Sequence, residues 1–447
     1  MLIKPIPNTD KKYYLVNFDK DGKERFGGED GLPSSEMLKE LKAGGYTDAI
    51  VMSHGWMGDV PAAIAQYDKW MPNLFTCPAD IAAMKAKRPG FKPLFVGLHW
   101  PSLPWGDEDD DGSFGFDPQS EVGKIIQATV DDYAERLGNV RGIRRPLKTI
   151  VTAALDEHTT LPENVRKAYL TLGKALKLES GSDNAALDAE VRNYDPEEMF
   201  QVALKRESED FQVGSFSKTS FFGTLLSPLR NFSFWEMKSR ARKFGETGGN
   251  ALLRSMQKTA ADAGRELHVH LMGHSFGCAV VSAMAAGKPG DNTPQAKVDS
   301  MTLAQGALSI WAYCPSIPHN GGTPGYFSPM IKKARVAGPI VTTQSEFDRA
   351  VGFFYKIGAG VAGQVSFAGE LPEIGALGAF GIQGMDLITN GINGMKPITE
   401  AYGFQPGRIY NIESSNVIKN GGGFVGAHSD IVHPEVAHAL WQAALAA

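Results

Sequence analysis

Leu267-His268-Val269-His270-Leu271-Met272-Gly273-His274-Ser275-Phe276-Gly277-Cys278-Ala279-Val280-Val281-Ser282-Ala283 is the stretch from which the fold class is read. Its first six residues form a short apolar run of strand length. Its last six are small residues that suit a tightly packed helix. Between them stands Gly-x-Ser-x-Gly, residues 273–277. A strand that feeds straight into a helix through five residues needs a sharp turn. Glycines at 273 and 277 have no Cβ atoms, so strand and helix can approach closely. Ser275 is left at the tip, on a strained backbone position. The helix behind it points its first amides at the tip and favours negative charge there.

Outward from this segment, short apolar runs alternate with helical patterns, the rhythm of a mostly parallel sheet with crossover helices. Tyr13–Phe18, Asp48–Ser53, Pro93–His99, Leu267–Met272, Ser300–Leu308, Pro339–Thr343 and Arg408–Glu413 read as strands. The unalternated run Asp48–Ser53 suits a strand buried on both faces. Ser34–Lys42 reads as a short helix with Ser34 or Ser35 as N-cap. Trp235–Ala263 and Pro434–Ala446 read as longer helices. Five sections follow: a first part of the core (1–104), a helical insertion or cap (105–232), core with the serine turn (233–350), a Gly-rich, apolar, lid-like segment (351–407) and the core end (408–447). In the cap, Val122, Ile125, Ile126, Val130, Tyr133 and Leu137 share one helix face. Asp195-Pro196-Glu197-Glu198 has the form of a helix start.

Composition narrows the partners. The net charge of −5 argues against nucleic acid or an anionic membrane held by bulk electrostatics. Three cysteines (Cys77, Cys278, Cys314) make neither a disulfide framework nor a metal site and read as buried thiols. No apolar run reaches membrane-spanning length, and the N-terminal residues show no signal-peptide core, so a cytoplasmic protein is expected; export without a cleaved signal stays open. No cofactor and no metal are expected at the serine.

A serine presented in this way is a nucleophile when a base and an acid are brought to it. On a strand–turn–helix of this kind the partners follow in the order serine, acid, histidine. Gln344-Ser345-Glu346-Phe347-Asp348 follows a strand; Asp348 is the chosen acid, because a short carboxylate holds an imidazole in one tautomer, and Glu346 is the alternative. Gly421–Gly426 is a glycine-rich loop that leads to His428, the chosen base; His433 and His438 lie at or in the last helix. An oxyanion needs two donors. The Phe276 amide is one. The other comes from Ser53-His54-Gly55-Trp56-Met57-Gly58, with the Trp56 amide first and Met57 second. His274 diverges from Ser275 and reads as packing beside it. With His54, Gly55 and Trp100 it is assigned to the substrate-binding surroundings.

Taken together, Ser-His-Gly-Trp at 53–56, Gly-His-Ser-Phe-Gly at 273–277, Gln-Ser-Glu-Phe-Asp at 344–348 and Gly-Ala-His-Ser-Asp at 426–430 resemble the α/β-hydrolase superfamily of esterases and lipases. The resemblance covers about 46–60, 93–104, 264–310, 337–349 and 408–446. It implies an α/β-hydrolase fold with a mostly parallel central sheet flanked by helices, and Ser–His–Asp chemistry. The insertions 105–232 and 351–407 depart from the family's plan. The expected activity is cleavage of a carboxylic ester of a small molecule or lipid-like substrate through an acyl-enzyme on Ser275. Acyl transfer and thioester cleavage use the same residues, and a binding protein on the same scaffold is the rival of another class. The acidic run Asp107–Asp111 reads as an exposed loop; its carboxylates are also of the kind that holds Ca²⁺.

Overall fold

The computed structural model describes residues 3–25, 31–56, 59–102, 122–155, 160–176, 196–197, 200–201, 220–291, 295–352, 372, 375–421 and 426–447. The chain divides into two compact units. One holds Met1–Ser102, Lys238–Gly352 and Gly369–Ala447; the other holds Leu103–Met237 and Phe353–Ala368. The acidic run 107–111 lies outside the described residues.

The first unit is α/β. Its strands are β1 (Ile3–Pro5), β2 (Lys12–Asn17), β3 (Asp48–Ser53), β4 (Pro93–His99), β5 (His268–His274), β6 (Ser300–Ala304), β7 (Ile340–Gln344), β8 (Ile388–Asn393) and β9 (Ile409–Glu413). They form one nine-stranded sheet in the order β1-β2-β4-β3-β5-β6-β7-β9-β8. Only β1 runs antiparallel to its neighbour. Every residue of β3 and of β6 is buried; β3 reads as a near-continuous apolar run for that reason, whereas β6 buries Ser300 and Thr302 among its apolar residues.

Strand order decides where a site can form. From β3 the chain passes outward to β4, then returns to place β5 on the other side of β3, and β6 and β7 follow outward. The crossovers reverse direction between β3 and β5. In open α/β sheets a crevice opens at the carboxyl ends of the strands at such a point. Ser53 at the end of β3 pairs with Gly273 of β5, so His54-Gly55 and the serine turn leave the sheet side by side.

Helices Val60–Asn73, Pro78–Lys87 and Pro434–Leu445 pack into one apolar core with the sheet, with Tyr67, Trp70, Leu74 and Trp441 among its buried members. Asp59 caps the first of them, accepting from the Ala62 amide at 2.6 Å. Trp441 Nε1 donates to the Leu74 carbonyl at 2.8 Å. Inside this core His438 Nδ1 meets Asp80 Oδ2 at 2.6 Å, and Gln442 donates to the other oxygen at 2.6 Å. That pairing holds the second helix to the third.

Several boundaries differ from the sequence reading. The first helix spans Pro33–Ala43 with Leu32 at the N-cap; Ser34 instead donates from its backbone N–H to Glu24 at 2.7 Å, and its hydroxyl bonds the same carboxylate. The long helix begins earlier, at Ser220, and passes through a π-helical turn at Gly245–Gly249 before Asn250–Asp262. A Cβ on Gly245 would lie 2.4 Å from the Val280 carbonyl oxygen, so this turn marks close helix packing. The segment 351–407 is not all insertion: it supplies β8, and Leu377–Phe380 forms a short helix close to β6 and β7. Tertiary pairing overrides its glycine content. Residues 353–371 lie outside the described ones.

The second unit is helical where described. Val122–Arg136, Arg144–Ala153, Glu163–Ala175 and the part of Ser220–Phe244 up to residue 237 share a core that includes Val130, Tyr133, Leu137, Ile150, Tyr169 and Phe232. The helix face expected from Val130, Tyr133 and Leu137 is the buried one. Of the helix expected to start at 195, residues 196–197 and 200–201 are described and helical. Among the described residues, no helix is long and apolar enough to cross a membrane.

Candidate functional site

Ser275 sits between β5 and the helix Gly277–Ala286 with φ at +56°. A non-glycine residue in this region costs about 1–2 kcal/mol, so the surroundings must hold it. They do so through both of its backbone groups. The Ser275 amide donates to the Ala304 carbonyl at 3.2 Å, and its carbonyl accepts from Cys278 and Ala307, each at 3.1 Å. The flanking glycines are required by contact. A Cβ on Gly273 would lie 2.4 Å from the Gly277 carbonyl group, and one on Gly277 would lie 2.2 Å from the Ser53 carbonyl oxygen. The head of the helix thus rests on the end of β3.

His428 arrives from the loop after β9. Its main chain is fixed from three sides. Ala427 N–H donates to the Phe347 carbonyl at 2.9 Å. Asp430 accepts from the amides of Lys419 and Asn420 at 3.0 and 2.7 Å. His274 Nε2 donates to the His428 carbonyl at 2.8 Å. The ring is then set by two contacts of equal length. His428 Nε2 lies 2.8 Å from Ser275 Oγ, and His428 Nδ1 lies 2.8 Å from Asp348 Oδ2. A carboxylate has no proton to give, so Nδ1 carries the hydrogen and Nε2 accepts from the serine hydroxyl. All three residues are buried: Asp348 is 1% exposed, Ser275 6% and His428 8%.

The turn after β7 decides which acid faces inward. Ser345 Oγ donates to the Ile418 carbonyl at 2.6 Å and accepts from the Phe347 amide at 3.1 Å; the Asp348 amide donates to the Ser345 carbonyl at 3.1 Å. This places Asp348 against the imidazole and leaves Glu346 exposed. Asp348 Oδ1 also accepts from the Val351 amide at 3.2 Å. His433 and His438 are engaged elsewhere, with Asp430 at 2.8 Å and with Asp80.

Gly55 lies directly against the serine. A Cβ built on it would stand 2.7 Å from Ser275 Cβ and 3.2 Å from Oγ. Trp56 follows, half-buried, its ring 6.2 Å from that of Phe276. Met57 lies outside the described residues. His54 and Trp100 are fully buried and brace this loop. Their rings stack at 5.7 Å with 3° between planes, Trp100 Nε1 donates to the His54 carbonyl at 3.2 Å, and His54 Nδ1 meets the Gly55 carbonyl at 2.8 Å. Tyr67 ties the strand ends beneath them. Its hydroxyl accepts from the His54 amide at 3.0 Å and lies 2.5 Å from the Leu98 carbonyl. His274 is enclosed by Trp70, edge-on at 5.4 Å, and by His428, with ring centroids 5.0 Å apart.

Burial holds two of these rings neutral. It pushes the His54 imidazole down to about 4, and burial together with the nearby His428 pushes that of His274 down to about 3. An unfolded chain takes up protons on both near pH 6.5. Their contribution to stability is therefore full above that pH and is lost as pH falls towards 4 and then 3. His438 works in the opposite sense. Burial pulls it down, but hydrogen bonds to Asp80 and to the Glu400 carbonyl, with the charges of Asp80 and Glu435, together raise it, so its contribution is full below pH 6.5 and is lost as pH rises through the folded value. Chemical denaturation at pH 7 and pH 5 is expected to show lower stability at pH 5. In His54→Gln the mean slope over that range should be shallower by about 0.9 kcal/mol per pH unit, because the unfolded ring is only partly protonated near pH 6.5. Equal slopes in the two proteins would contradict this assignment.

Residues that the sequence reading did not single out complete the site. Gln305 follows β6 and reaches Asp348; Thr343 reaches Gln305; Gly378 presses on both Gln305 and Asp348. None belongs to a motif, and each matters only through what the sheet brings beside it. Among the described residues, no group of three or more His, Cys, Asp or Glu side chains could hold a metal ion.

Chemically, a hydroxyl hydrogen-bonded to a neutral imidazole, itself oriented by a carboxylate, can lose its proton as its oxygen attacks an electrophile. Comparison with protein-family models, with curated proteins and with solved structures finds no match to this chain.

Proposed function

We propose that the protein is a serine hydrolase of α/β-hydrolase type that cleaves carboxylic esters. The observation that carries the reading is the continuous path Ser275 Oγ–His428–Asp348, with both links at 2.8 Å, built on a serine at positive φ. Ser275 attacks the ester carbonyl as His428 Nε2 takes its proton. His428 returns that proton to the leaving alcohol, which leaves an acyl group on Oγ. A water attacks next as His428 takes its proton; the acyl–Oγ bond then breaks, His428 returns the proton to Ser275 Oγ, and the acid is released. Asp348 keeps the ring in the tautomer that can accept and steadies the imidazolium that forms. The amides of Phe276 and of Trp56 are proposed to donate to the oxyanion, each worth roughly 3–4 kcal/mol to the transition state. What supports the second donor is that Gly55 sits against Ser275.

A fluorophosphonate probe tests the reading. Labelling of the folded protein that is absent in Ser275→Ala is the expected result. A folded protein that resists the probe would instead favour a binding role on the same scaffold.

Gly55→Ala tests the oxyanion loop. The new Cβ at 2.7 Å from Ser275 Cβ forces backbone or serine to move. A misplacement of this order costs about 100-fold in rate. The expected outcome is a fall of roughly 10- to 100-fold in kcat for an activated ester, with the fold retained. Turnover within twofold of the parent would remove Gly55 from the site.

A further inference from the structure

We propose that Gln305 is the positioning residue of the acid, holding the Asp348 carboxylate in the one orientation from which it can orient His428. The inference rests on the reading of Ser275, His428 and Asp348 given above. Gln305 is fully buried and lies at φ +45°, a region in which a glutamine costs roughly 1–2 kcal/mol. That cost is met by a hydrogen-bond arrangement with one solution. The Gln305 amide N–H donates to Thr343 Oγ1 at 3.0 Å. The threonine hydroxyl hydrogen is then directed to Gln305 Oε1, 2.9 Å away. With its oxygen taken as acceptor, the side-chain amide must present Nε2 on the other side. From there it donates to Asp348 Oδ2 at 2.9 Å and to the Gly378 carbonyl at 3.2 Å.

Oδ2 is the same oxygen that receives His428 Nδ1. It therefore sits between two N–H donors, and Oδ1 is held by the Val351 amide. Rotation of the carboxylate would break all three bonds. The opposite side is closed by Gly378. A Cβ there would meet Asp348 Oδ2 at 3.0 Å and the Gln305 carbonyl carbon at 2.8 Å. Gly378 is itself fixed, its amide donating to the Gly306 carbonyl at 3.0 Å and its carbonyl accepting from the Ser345 amide at 2.8 Å. Three strands contribute to the device: β6 leads into Gln305, β7 brings Thr343 and its following turn brings Asp348, and the loop after β9 brings His428. The sequence shows none of this, because a glutamine after a strand has no motif.

Two variants and two readouts test it. Gln305→Leu removes the donor while keeping much of the volume. Turnover of an activated ester should fall about 10- to 100-fold in kcat, with KM within about twofold, since the loss concerns geometry at the reacting atoms. Gln305→Glu is nearly isosteric. When protonated, the introduced carboxyl group can still donate to Asp348; when ionised, it adds a second negative charge beside the imidazole. Among the described residues, the titratable groups placed against His428 are Asp348 and His274. The added charge should move the rising limb of kcat/KM to higher pH. A limb that stays in place would show that position 305 does not bear on His428 and would count against the proposal.

The second readout does not depend on turnover. The His428 Nδ1 proton in its bond to Asp348 should give a low-field proton resonance that is absent in Asp348→Asn. It should shift or broaden in Gln305→Leu at a temperature where that variant is folded. An unchanged resonance and kcat within threefold of the parent in Gln305→Leu would overturn the proposal. If the parent neither turns over esters nor labels at Ser275, the hydrolase reading is what fails. The resonance comparison still decides whether Gln305 positions Asp348.

Discussion

His428→Ala should lower ester turnover by roughly four to six orders of magnitude while the protein stays folded, because a serine without its base has nowhere to send its proton. The geometry behind this number is local: the imidazole nitrogen stands 2.8 Å from Ser275 Oγ. Ser275→Ala should have an effect of similar size, and the double variant should be little worse than either single one, since in the proposed mechanism the two residues act as a unit. The check is steady-state kinetics with an activated ester, beside a melting curve. The melting temperature is expected to change by only a few degrees, because the imidazole is held by its neighbours more than it holds them. A His428→Ala protein that kept a tenth of its activity would place the base elsewhere.

Asp348→Asn is the second large effect, expected at about 10³- to 10⁴-fold in kcat. An amide at this position offers His428 Nδ1 a donor as readily as an acceptor. The ring then populates the tautomer with its proton on Nε2, which cannot accept from Ser275. The companion variant separates this from a general loss of acid. Glu346 is exposed, on the other side of a turn fixed by Ser345, so Glu346→Gln should leave kcat within about twofold. The reverse pattern, with Glu346→Gln the damaging change, would assign the acid to Glu346.

The serine turn is legible in the sequence because its chemistry is local. Two glycines, a serine, an apolar run before and small residues after are all needed within a few positions, and each has a steric reason that a sequence displays. The same holds for β3, a continuous run buried along its whole length. The helix Val122–Arg136 is readable from its apolar face. Elements whose character depends on a distant partner are not. The sequence reading leaves helices Val60–Asn73 and Pro78–Lys87 unmarked. It also misses β8 inside a glycine-rich segment, because the strand character there comes from pairing with β9.

Around the site the division is sharper. Between Asp348 and Glu346, residue chemistry offers two carboxylates two positions apart, and only the turn held by Ser345, with Ile418 from another part of the chain, selects one. His274 sits beside the serine in sequence, yet its ring serves the carbonyl of His428, 154 residues away. Gln305 and Gly378 bear on the acid through contacts that span 43 and 30 positions. Spacing rules describe what one strand or one turn can do with its own residues. Where several strand ends meet, hydrogen bonds between remote segments choose the partners, and that choice is made by the packing of the sheet.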